Sequence, residues 1–470
     1  MKRVALGAGP AWLLLVLLLP APVGLAPEAW RVAGLAGWMA VWWLSAVVPL
    51  EATALLPLVL LPVLRVAPLT EIAPSYADPI IFLFLGGFFL AATLERWDLH
   101  KRFALATVRA VGTKAPRVVL AFMLTSAVAS MWISNTATAV MMLPIAMAVV
   151  GATDDEGRGT STALLLGIAY AASIGGVATL IGTPPNAIFA GAARELLAED
   201  VGFAQWMGFA LPVTIPMLFG CWLLLIRLFD VRGTIPGLEG YVARERAAMG
   251  PVGGGERFVL TVFGLTALAW ILRAPKTIGA IRIPGISDFL PGVTDAGIAV
   301  AAAVVLFVTP LRRQRFTVGL DWASARQVPW GILLLFGGGL ALARAFEISG
   351  LTEWLGGQLV ALRGVPLPVV IGATAALFVI LTELTSNTAT AALGMPLMVG
   401  VADGLGVSPL PLMMTAALAA SMAFMLPVAT PPNAIVFGSR RILPADMARA
   451  GIGLNLLAVT IITLWLWWQS

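Results

Sequence analysis

A short polar motif occurs twice in this chain, each time inside a strongly apolar stretch. The sequence Ser-Asn-Thr-Ala-Thr occupies residues 134–138 and again residues 386–390. Downstream of each copy lies a second shared motif, Thr-Pro-Pro-Asn-Ala-Ile, at residues 183–188 and 430–435. Hydroxyl and carboxamide groups bind anions through hydrogen bonds and hard cations through oxygen atoms. Helix-breaking polar residues at matching places in two apolar halves predict the binding site of a secondary transporter.

The composition indicates an integral membrane protein. The 470 residues are 60% hydrophobic and 11% charged, with a mean hydropathy of +0.95, whereas soluble domains carry about 25% charged residues. Apolar runs such as residues 13–19 lack the alternation of a membrane β-barrel. The net charge of +5 comes from basic residues beside helix ends, so it does not indicate a nucleic acid partner. The single cysteine, Cys221, excludes an internal disulfide.

The apolar pattern predicts an all-α polytopic membrane protein with about eleven transmembrane helices and two re-entrant hairpins. The hairpins are expected at residues 118–150 and 367–402, because a polar tip there separates two apolar arms. We expect the first helix to be retained rather than cleaved as a signal peptide. The predicted crossings are residues 10–26, 30–47, 51–66, 78–96, 161–190, 207–228, 257–272, 294–310, 328–347, 410–437 and 450–468, with polar breaks inside 161–190 and 410–437.

Basic residues set the predicted orientation. Lys and Arg crowd the segment after Glu95, whereas the segment after Glu347 has few, so the two segments are expected on opposite sides of the membrane. This places the N-terminus inside and the C-terminus outside. Landmarks of the first half recur in the second at one constant spacing: Gly86-Gly87, Glu95, Ser134 and Pro144 return as Gly338-Gly339, Glu347, Ser386 and Pro396. The chain is therefore predicted to contain two inverted repeats, at about 78–190 and 330–437.

The broken helices predict how an anion is held. A helix that begins inside the membrane directs free N–H groups and a partial positive charge at its ligand. Ser134 and Ser386 are placed to cap such helices. No Lys, Arg or His lies in either hairpin tip, so co-bound cations are needed to neutralise a dianion. The anion is expected to meet these N–H groups, the Asn135 and Asn387 amides, and the Thr136 and Thr388 hydroxyls.

The same breaks predict two sodium sites. Unwound backbone offers carbonyl oxygens, which are hard ligands for Na⁺, and Gly182 and Ala429 directly precede the Thr-Pro-Pro-Asn motifs. Ser130 and Thr382 each lie one helical turn before a tip serine. For these two hydroxyls the competing interpretation is a hydrogen bond to a carbonyl of their own helix.

Other titratable positions are expected to have structural roles. Glu383 is an acid within the second hairpin, where acids are functional by default, but its counterpart in the first repeat is Met131. We therefore expect structural pairing, with a water contact or a proton relay as alternatives. Glu95 and Glu347 are expected at an interface or a helix cap. His100, the single histidine, is expected in a solvated basic loop.

At these motifs the chain resembles the divalent anion:sodium symporter family. That family includes bacterial sodium/dicarboxylate symporters and animal sodium/citrate and sodium/sulfate cotransporters, and the resemblance covers essentially the whole chain. It implies sodium-coupled symport of a small divalent anion, most simply a C4-dicarboxylate such as succinate. It also implies an elevator-type alternating-access mechanism in a homodimer, embedded in the lipid of a bacterial inner (plasma) membrane.

The resemblance assigns roles to particular residues and segments. It places the substrate carboxylates on the whole of both tips, including Ser134 and Ser386, and adds nearby residues of the second motifs: Thr183, Pro184, Thr430 and Pro431. It places one sodium ion at Ser130, Ser134, Asn135 and Gly182, and the other at Thr382, Ser386, Asn387 and Ala429. It divides the chain into scaffold helices at 1–77 and 206–327, transport-domain repeats at 78–205 and 328–445, and a last helix at 446–470.

Several other functions use similar architecture. Sodium/sulfate or sodium/tricarboxylate symport would use the same site, and hairpins also build anion channels. In exchangers of the family, basic side chains are thought to replace sodium, and neither hairpin core has one. Na⁺/H⁺ exchange would need symmetric buried acids at the breaks. An enzyme is not expected, because the sequence offers no Ser/His, metal-ligand or paired-acid constellation.

Overall fold

The computed structural model describes residues 2–151, 158–235, 237–278, 281–312, 317–360 and 363–470. In the first half the helices are α1 (Lys2–Leu18), α2 (Pro27–Ser45), α3 (Leu50–Thr53), α4 (Leu56–Val63), α5 (Leu69–Ile72), α6 (Pro79–Arg96), α7 (Leu99–Val111), α8 (Ala115–Ser130), α9 (Asn135–Val150), α10 (Arg158–Gly176), α11 (Pro184–Leu197) and α12 (Phe203–Leu228). In the second half they are α13 (Leu238–Met249), α14 (Gly254–Leu272), α15 (Ile286–Phe289), α16 (Asp295–Val308), α17 (Trp322–Ala325), α18 (Trp330–Ile348), α19 (Leu351–Leu359), α20 (Leu367–Leu384), α21 (Asn387–Leu405), α22 (Pro409–Ala420), α23 (Pro431–Phe437) and α24 (Pro444–Gln469). A 3-10 turn covers Ala73–Ala77.

Two small antiparallel ribbons accompany the helices. β1 (Lys276–Ile278) pairs with β2 (Ile281–Ile283), and β3 (Pro310–Arg312) pairs with β4 (Thr317–Val318). Both ribbons lie in the connections on either side of α16. They were not predicted, because strands of two or three residues are too short to show a periodic pattern. The fold is the predicted all-α polytopic class.

Helix lengths decide which elements can cross a membrane. Eight helices in the described ranges are long and apolar enough to do so. The remaining predicted crossings correspond to shorter or less apolar helices, including α1, α2 and α16. One crossing differs from its prediction: residues 51–66 are divided into α3 and α4, because the second piece restarts at a proline-containing helix N-terminus.

The first hairpin has short arms. α8 and α9 have 16 residues each, which extend about 24 Å at 1.5 Å per residue. That length falls short of the ~30 Å hydrocarbon core, as expected for a re-entrant hairpin. In the second hairpin, α20 and α21 have 18 and 19 residues and are long enough to cross. Their connecting tip nevertheless lies beside the tip of the first hairpin.

The two repeats have the same order of elements. α6, the α8–α9 hairpin and the broken pair α10 and α11 correspond to α18, the α20–α21 hairpin and the broken pair α22 and α23. In each repeat the second half of the broken pair begins with the proline pair of the Thr-Pro-Pro-Asn motif. Proline suits this position because the first N–H groups of a helix have no partner within it. The proline pairs thus determine where the second half of each broken pair begins.

The first hairpin packs closely against α10. A Cβ atom added to Gly175 would lie 2.3 Å from the Ala127 carbonyl oxygen, so the two backbones are in direct contact. Small residues allow this approach between helices in membranes. α10 itself is almost wholly buried. The contact fixes α8 and therefore the position of the tip that follows it.

The remaining titratable predictions have mixed outcomes. His100 lies in the first turn of α7 with its side chain only 8% exposed, so the expectation of a solvated loop histidine is wrong. Burial lowers the pKa of His100, because the charged imidazolium loses its hydration. Glu347 pairs with Arg344 at 3.0 Å where α18 meets neighbouring helices. Glu95 makes no ion pair with any residue that the structure describes.

Candidate functional site

The tips of both hairpins and both broken helices surround one cavity of about 450 Å³. All of the predicted substrate residues line it: Ser134, Asn135, Thr136, Thr183, Pro184, Ser386, Asn387, Thr388, Thr430 and Pro431. Gly182 and Ala429 line it as well. Ser130 and Thr382 lie behind the tips and are fully buried. The fold thus brings the repeated motifs of both halves to a single place.

Four helices begin at this cavity, namely α9, α11, α21 and α23. Their free N–H groups and positive dipole ends gather there. Ser134 Oγ accepts a hydrogen bond from the Ala137 N–H at 3.2 Å, and Thr430 Oγ1 accepts one from the Asn433 N–H at 3.3 Å. Such sites attract anions without a cationic side chain.

Ser386 differs from its predicted capping role. It occupies the N-cap position of α21, but its side chain makes no capping hydrogen bond. Across the same turn the neighbouring Thr385 Oγ1 contacts Thr390 Oγ1 at 2.6 Å. The first turn of α21 is therefore braced by threonines, and the Ser386 hydroxyl is available to a ligand in the cavity.

The cavity is polar at its tips and apolar along its walls. In the described part of the chain, no Asp, Glu, Lys, Arg or His lines it. The walls are formed by Trp43, Leu50, Phe84, Phe88, Ile332, Leu384 and Val428. Two separated negative groups joined by a short apolar chain match this division into polar ends and apolar walls. Their charge needs compensation by cations, because burying an uncompensated charge is costly.

The first predicted sodium site is a tight group of oxygen atoms. Ser130 Oγ donates a hydrogen bond to Asn135 Oδ1 at 2.5 Å, so this hydroxyl is directed to the tip and not to its own helix. A Cβ added to Gly176 would lie 2.4 Å from Asn135 Oδ1, and one added to Gly182 would lie 2.3 Å from the Gly176 carbonyl oxygen. The absence of a side chain at Gly176 lets the tip approach the break, and its absence at Gly182 lets the two ends of the break approach each other.

The second predicted sodium site has a corresponding arrangement. Thr382 Oγ1 lies 2.6 Å from Asn387 Oδ1 and 2.6 Å from the Ala420 carbonyl oxygen. Three oxygen atoms therefore converge here, and only one of them, the Thr382 hydroxyl oxygen, carries a hydrogen. Oxygen atoms of hydroxyls, amides and carbonyls are the ligands that hard cations use. The residues present at both positions therefore suit Na⁺.

Glu383 is held by hydrogen bonds from three backbone N–H groups and one side-chain amide, and its position in the sequence did not predict these partners. Its Oε1 accepts hydrogen bonds from the N–H groups of Phe424 (2.7 Å) and Met425 (2.9 Å) and from Asn455 Nδ2 (2.8 Å). Its Oε2 accepts from the Leu426 N–H at 3.2 Å. Structural pairing was expected, and the partners are unwound backbone and one amide rather than a basic side chain. Glu383 thereby ties the second hairpin to the second break and to α24.

The first repeat makes the equivalent tie with different groups. Met131 stands where Glu383 stands in the second repeat, and its carbonyl oxygen accepts a hydrogen bond from Thr179 Oγ1. In one half a side chain of the break reaches the hairpin, and in the other a side chain of the hairpin reaches the break. Both repeats therefore connect the hairpin to the break at equivalent positions, but through different chemical groups.

Three further polar residues hold the site and were not predicted to do so. Asn186 and Asn433 hydrogen-bond to carbonyl groups of the two breaks, and their repetition within the second motif was a signal for a shared role. Asn455, which contacts Glu383, belongs to no repeated motif. Sequence offers no signal for such a contact, because it joins residues far apart in the chain.

Comparisons with known proteins agree with this architecture. The family model described as the sodium:sulfate symporter transmembrane region matches residues 2–470. The sodium-dependent dicarboxylate transporter SdcS of Staphylococcus saprophyticus is 40% identical, over 98% of this chain and 90% of the relative. SdcS of Staphylococcus aureus is 39% identical over the same shares. The solved YdaH transporter of Alcanivorax borkumensis has a TM-score of 0.55 at 15% identity, covering 91% of this chain and 97% of that chain, which shows likeness of fold alone.

The matching family and relatives are membrane transporters and not enzymes, and the two repeats around one uncharged cavity agree with that class. The chain belongs to the sodium:sulfate symporter family, and the resemblance predicted from its motifs is confirmed.

Proposed function

We propose that this protein is a sodium-coupled symporter of a C4-dicarboxylate such as succinate. The observation that carries the proposal is the uncharged cavity between four helix N-termini, with an oxygen-rich group behind each hairpin tip. Two carboxylates would meet the two Ser-Asn-Thr tips, and the methylene groups between them would meet the apolar walls. The names of the most similar relatives, sodium-dependent dicarboxylate transporters, support the same substrate class.

Coupling to sodium follows from the charge of the site. A dianion in this cavity meets dipoles and amides but no cationic side chain, so its binding is weak until cations occupy the neighbouring oxygen atoms. Sodium bound at Ser130, Ser134, Asn135 and Gly182, and at Thr382, Ser386, Asn387 and Ala429, would supply that charge. Substrate affinity would then depend on sodium, which is the requirement for symport.

The mechanism proposed is elevator-type alternating access. The cavity is lined both by the hairpins and breaks, which belong to the segments 78–205 and 328–445, and by Trp43, Leu44 and Leu50 of the segment 1–77. It therefore lies at a boundary between the proposed transport domain and scaffold, where relative motion changes access. We further propose a homodimer in the bacterial plasma membrane, with the N-terminus inside and the C-terminus outside.

Two measurements test this arrangement. The mass of the detergent-solubilised protein should equal two chains, and a monomer in mild detergent and in nanodiscs would reject the dimer. Cysteine pairs placed across the cavity, in a chain whose own Cys221 is fully buried, should block transport when they are crosslinked. Undiminished transport by a fully crosslinked pair would reject movement between these segments.

The transport activity is tested in proteoliposomes with an inward Na⁺ gradient. We expect labelled succinate to accumulate above its external concentration, to stop when K⁺ replaces Na⁺, and to be displaced by malate more strongly than by citrate or sulfate. Citrate is disfavoured because a third carboxylate would meet apolar wall. Uptake that never exceeds equilibrium would indicate a channel, and Na⁺-driven accumulation of sulfate but not succinate would reassign the substrate.

A further inference from the structure

The asparagines of the second motif do not face the cavity, although the neighbouring Thr183, Pro184, Thr430 and Pro431 do. Asn186 and Asn433 are both fully buried. Asn186 Nδ2 donates to the carbonyl oxygens of Gly176 (3.0 Å), Val177 (3.2 Å) and Thr179 (2.7 Å). Asn433 Nδ2 donates to those of Ala423 (3.2 Å) and Leu426 (3.1 Å). Each carboxamide thus holds the unwound segment that precedes its own motif.

The orientation of both carboxamides is fixed by these acceptors. Turning either group over would direct its oxygen at carbonyl oxygens, which cannot donate. Neither Asn186 Oδ1 nor Asn433 Oδ1 has a hydrogen-bond partner within the described ranges. Leaving a buried acceptor unpaired is unfavourable. In both halves the carboxamide oxygen is unpaired and the NH₂ group is paired, which indicates that hydrogen bonds from the NH₂ group to the break are the property that matters.

The segments held in this way lead directly to Gly182 and Ala429, the backbone positions of the predicted cation sites. In the first repeat, Gly176 lies against Asn135 Oδ1, and its carbonyl oxygen lies beside Gly182. In the second repeat, the held segment continues from Ala420, whose carbonyl oxygen is 2.6 Å from Thr382 Oγ1. A shift of the first segment would separate Asn135 from the backbone that faces it, and a shift of the second would separate Thr382 from the Ala420 carbonyl.

We propose that Asn186 and Asn433 are positioning residues that preorganise the two sodium sites. Each keeps a broken helix in the shape that places its oxygen atoms opposite the tip of the same repeat. The proposal rests on the proposed sodium coupling and adds to it a role for the second motif. Partners that orient the ligands of a metal ion commonly change its affinity by about 10–100-fold.

The test replaces each asparagine by leucine, which has similar size and no donor. For Asn186→Leu and Asn433→Leu we expect the Na⁺ concentration for half-maximal uptake to rise about tenfold or more, while the succinate KM at saturating Na⁺ stays within about twofold. The matched control is Thr266→Val, which removes a buried hydroxyl bonded at 2.8 Å to the Val262 carbonyl of its own helix. This control should leave the Na⁺ dependence unchanged.

A second pair of variants leaves both asparagines unchanged. Gly176→Ala places a methyl group against Asn135 Oδ1, whereas Gly264→Ala adds one where no atom lies within 4 Å. The first should reproduce the loss of Na⁺ affinity, and the second should behave as wild type. The Na⁺-dependent rise in Tm of the purified proteins, compared with K⁺, gives a readout that needs no substrate.

The outcomes separate the two proposals. If the wild-type protein shows neither Na⁺-driven uptake nor Na⁺-dependent stabilisation, the proposed function fails. If the wild type shows both, and the variants lose uptake rate with an unchanged Na⁺ dependence, the positioning role is overturned. Should a leucine variant not fold, Asn186→Ser and Asn433→Ser retain one donor and are judged by the same Na⁺ titration.

Discussion

Replacing Asn135 or Asn387 by alanine is expected to abolish Na⁺-driven succinate uptake while the protein still folds. Each carboxamide has two roles that alanine removes together. Its oxygen pairs with Ser130 or Thr382 at the predicted sodium site, and the side chain also lines the cavity. Hydrogen bonds to charged groups contribute about 1.5–3 kcal/mol, and 1.4 kcal/mol is a factor of ten. Losing such a bond and a cation ligand together should reduce uptake about a hundredfold or more.

The measurement is initial uptake into proteoliposomes at matched protein density, with folding verified by size-exclusion chromatography. Thr415→Ala is the control, since its buried hydroxyl bonds at 2.8 Å to the Pro411 carbonyl of its own helix and does not line the cavity. That variant should retain transport. Wild-type rates and Na⁺ dependence in both asparagine variants would show that the tips are not the binding site.

The positions of the helices were largely predictable because the membrane restricts the options. Backbone groups in hydrocarbon must pair within their own segment, so apolar stretches become helices and polar or proline-rich breaks occur only beside a cavity. This is why both hairpins and both breaks lie where the motifs predicted. The short helix α13 (Leu238–Met249), by contrast, lies in a polar loop, where no such restriction applies.

The candidate site was predictable as a set of residues but not as a set of contacts. Repetition identified the two tips and the two breaks, and the fold places them around one cavity. Repetition also predicted equal roles for equivalent residues, and here the structure differs. Ser134 caps its helix and Ser386 does not. The residue that precedes the motif differs between the repeats: Thr385, which contacts Thr390 of the motif, stands where the first repeat has Ile133.

His100 and Glu383 show where sequence reasoning fails. A histidine among basic residues was expected in water, but the amphipathic helix α7 (Leu99–Val111) turns it toward the interior. For Glu383, the missing counterpart in the first repeat predicted structural pairing, and its carboxylate does accept four hydrogen bonds. Its partners could not be predicted, because free N–H groups of an unwound segment have no signature in the sequence.

Glu383→Ala is expected to destabilise the protein strongly, and Glu383→Gln is expected to destabilise it less. Alanine leaves the N–H groups of Phe424, Met425 and Leu426 and the amide of Asn455 without their acceptor. Each buried donor left unpaired costs about 1–3 kcal/mol, so the four together cost at least about 4 kcal/mol. Glutamine keeps one oxygen for the three groups that Oε1 accepts from, and loses only the bond to the Leu426 N–H.

The pair of variants also separates structural pairing from a proton relay. Thermal unfolding should show a fall in Tm of roughly 4 °C or more for Glu383→Ala and a smaller fall for Glu383→Gln. Uptake should follow the same order, and Glu383→Gln should keep the pH dependence of the wild type, because an acceptor of hydrogen bonds need not release a proton. A stable Glu383→Gln variant that has lost uptake, or whose pH profile has shifted, would instead assign Glu383 to proton transfer. In that case the hydrogen bonds to the break would serve to orient a proton relay. The second repeat would then differ from the first in its chemistry, and not only in the groups that connect the hairpin to the break.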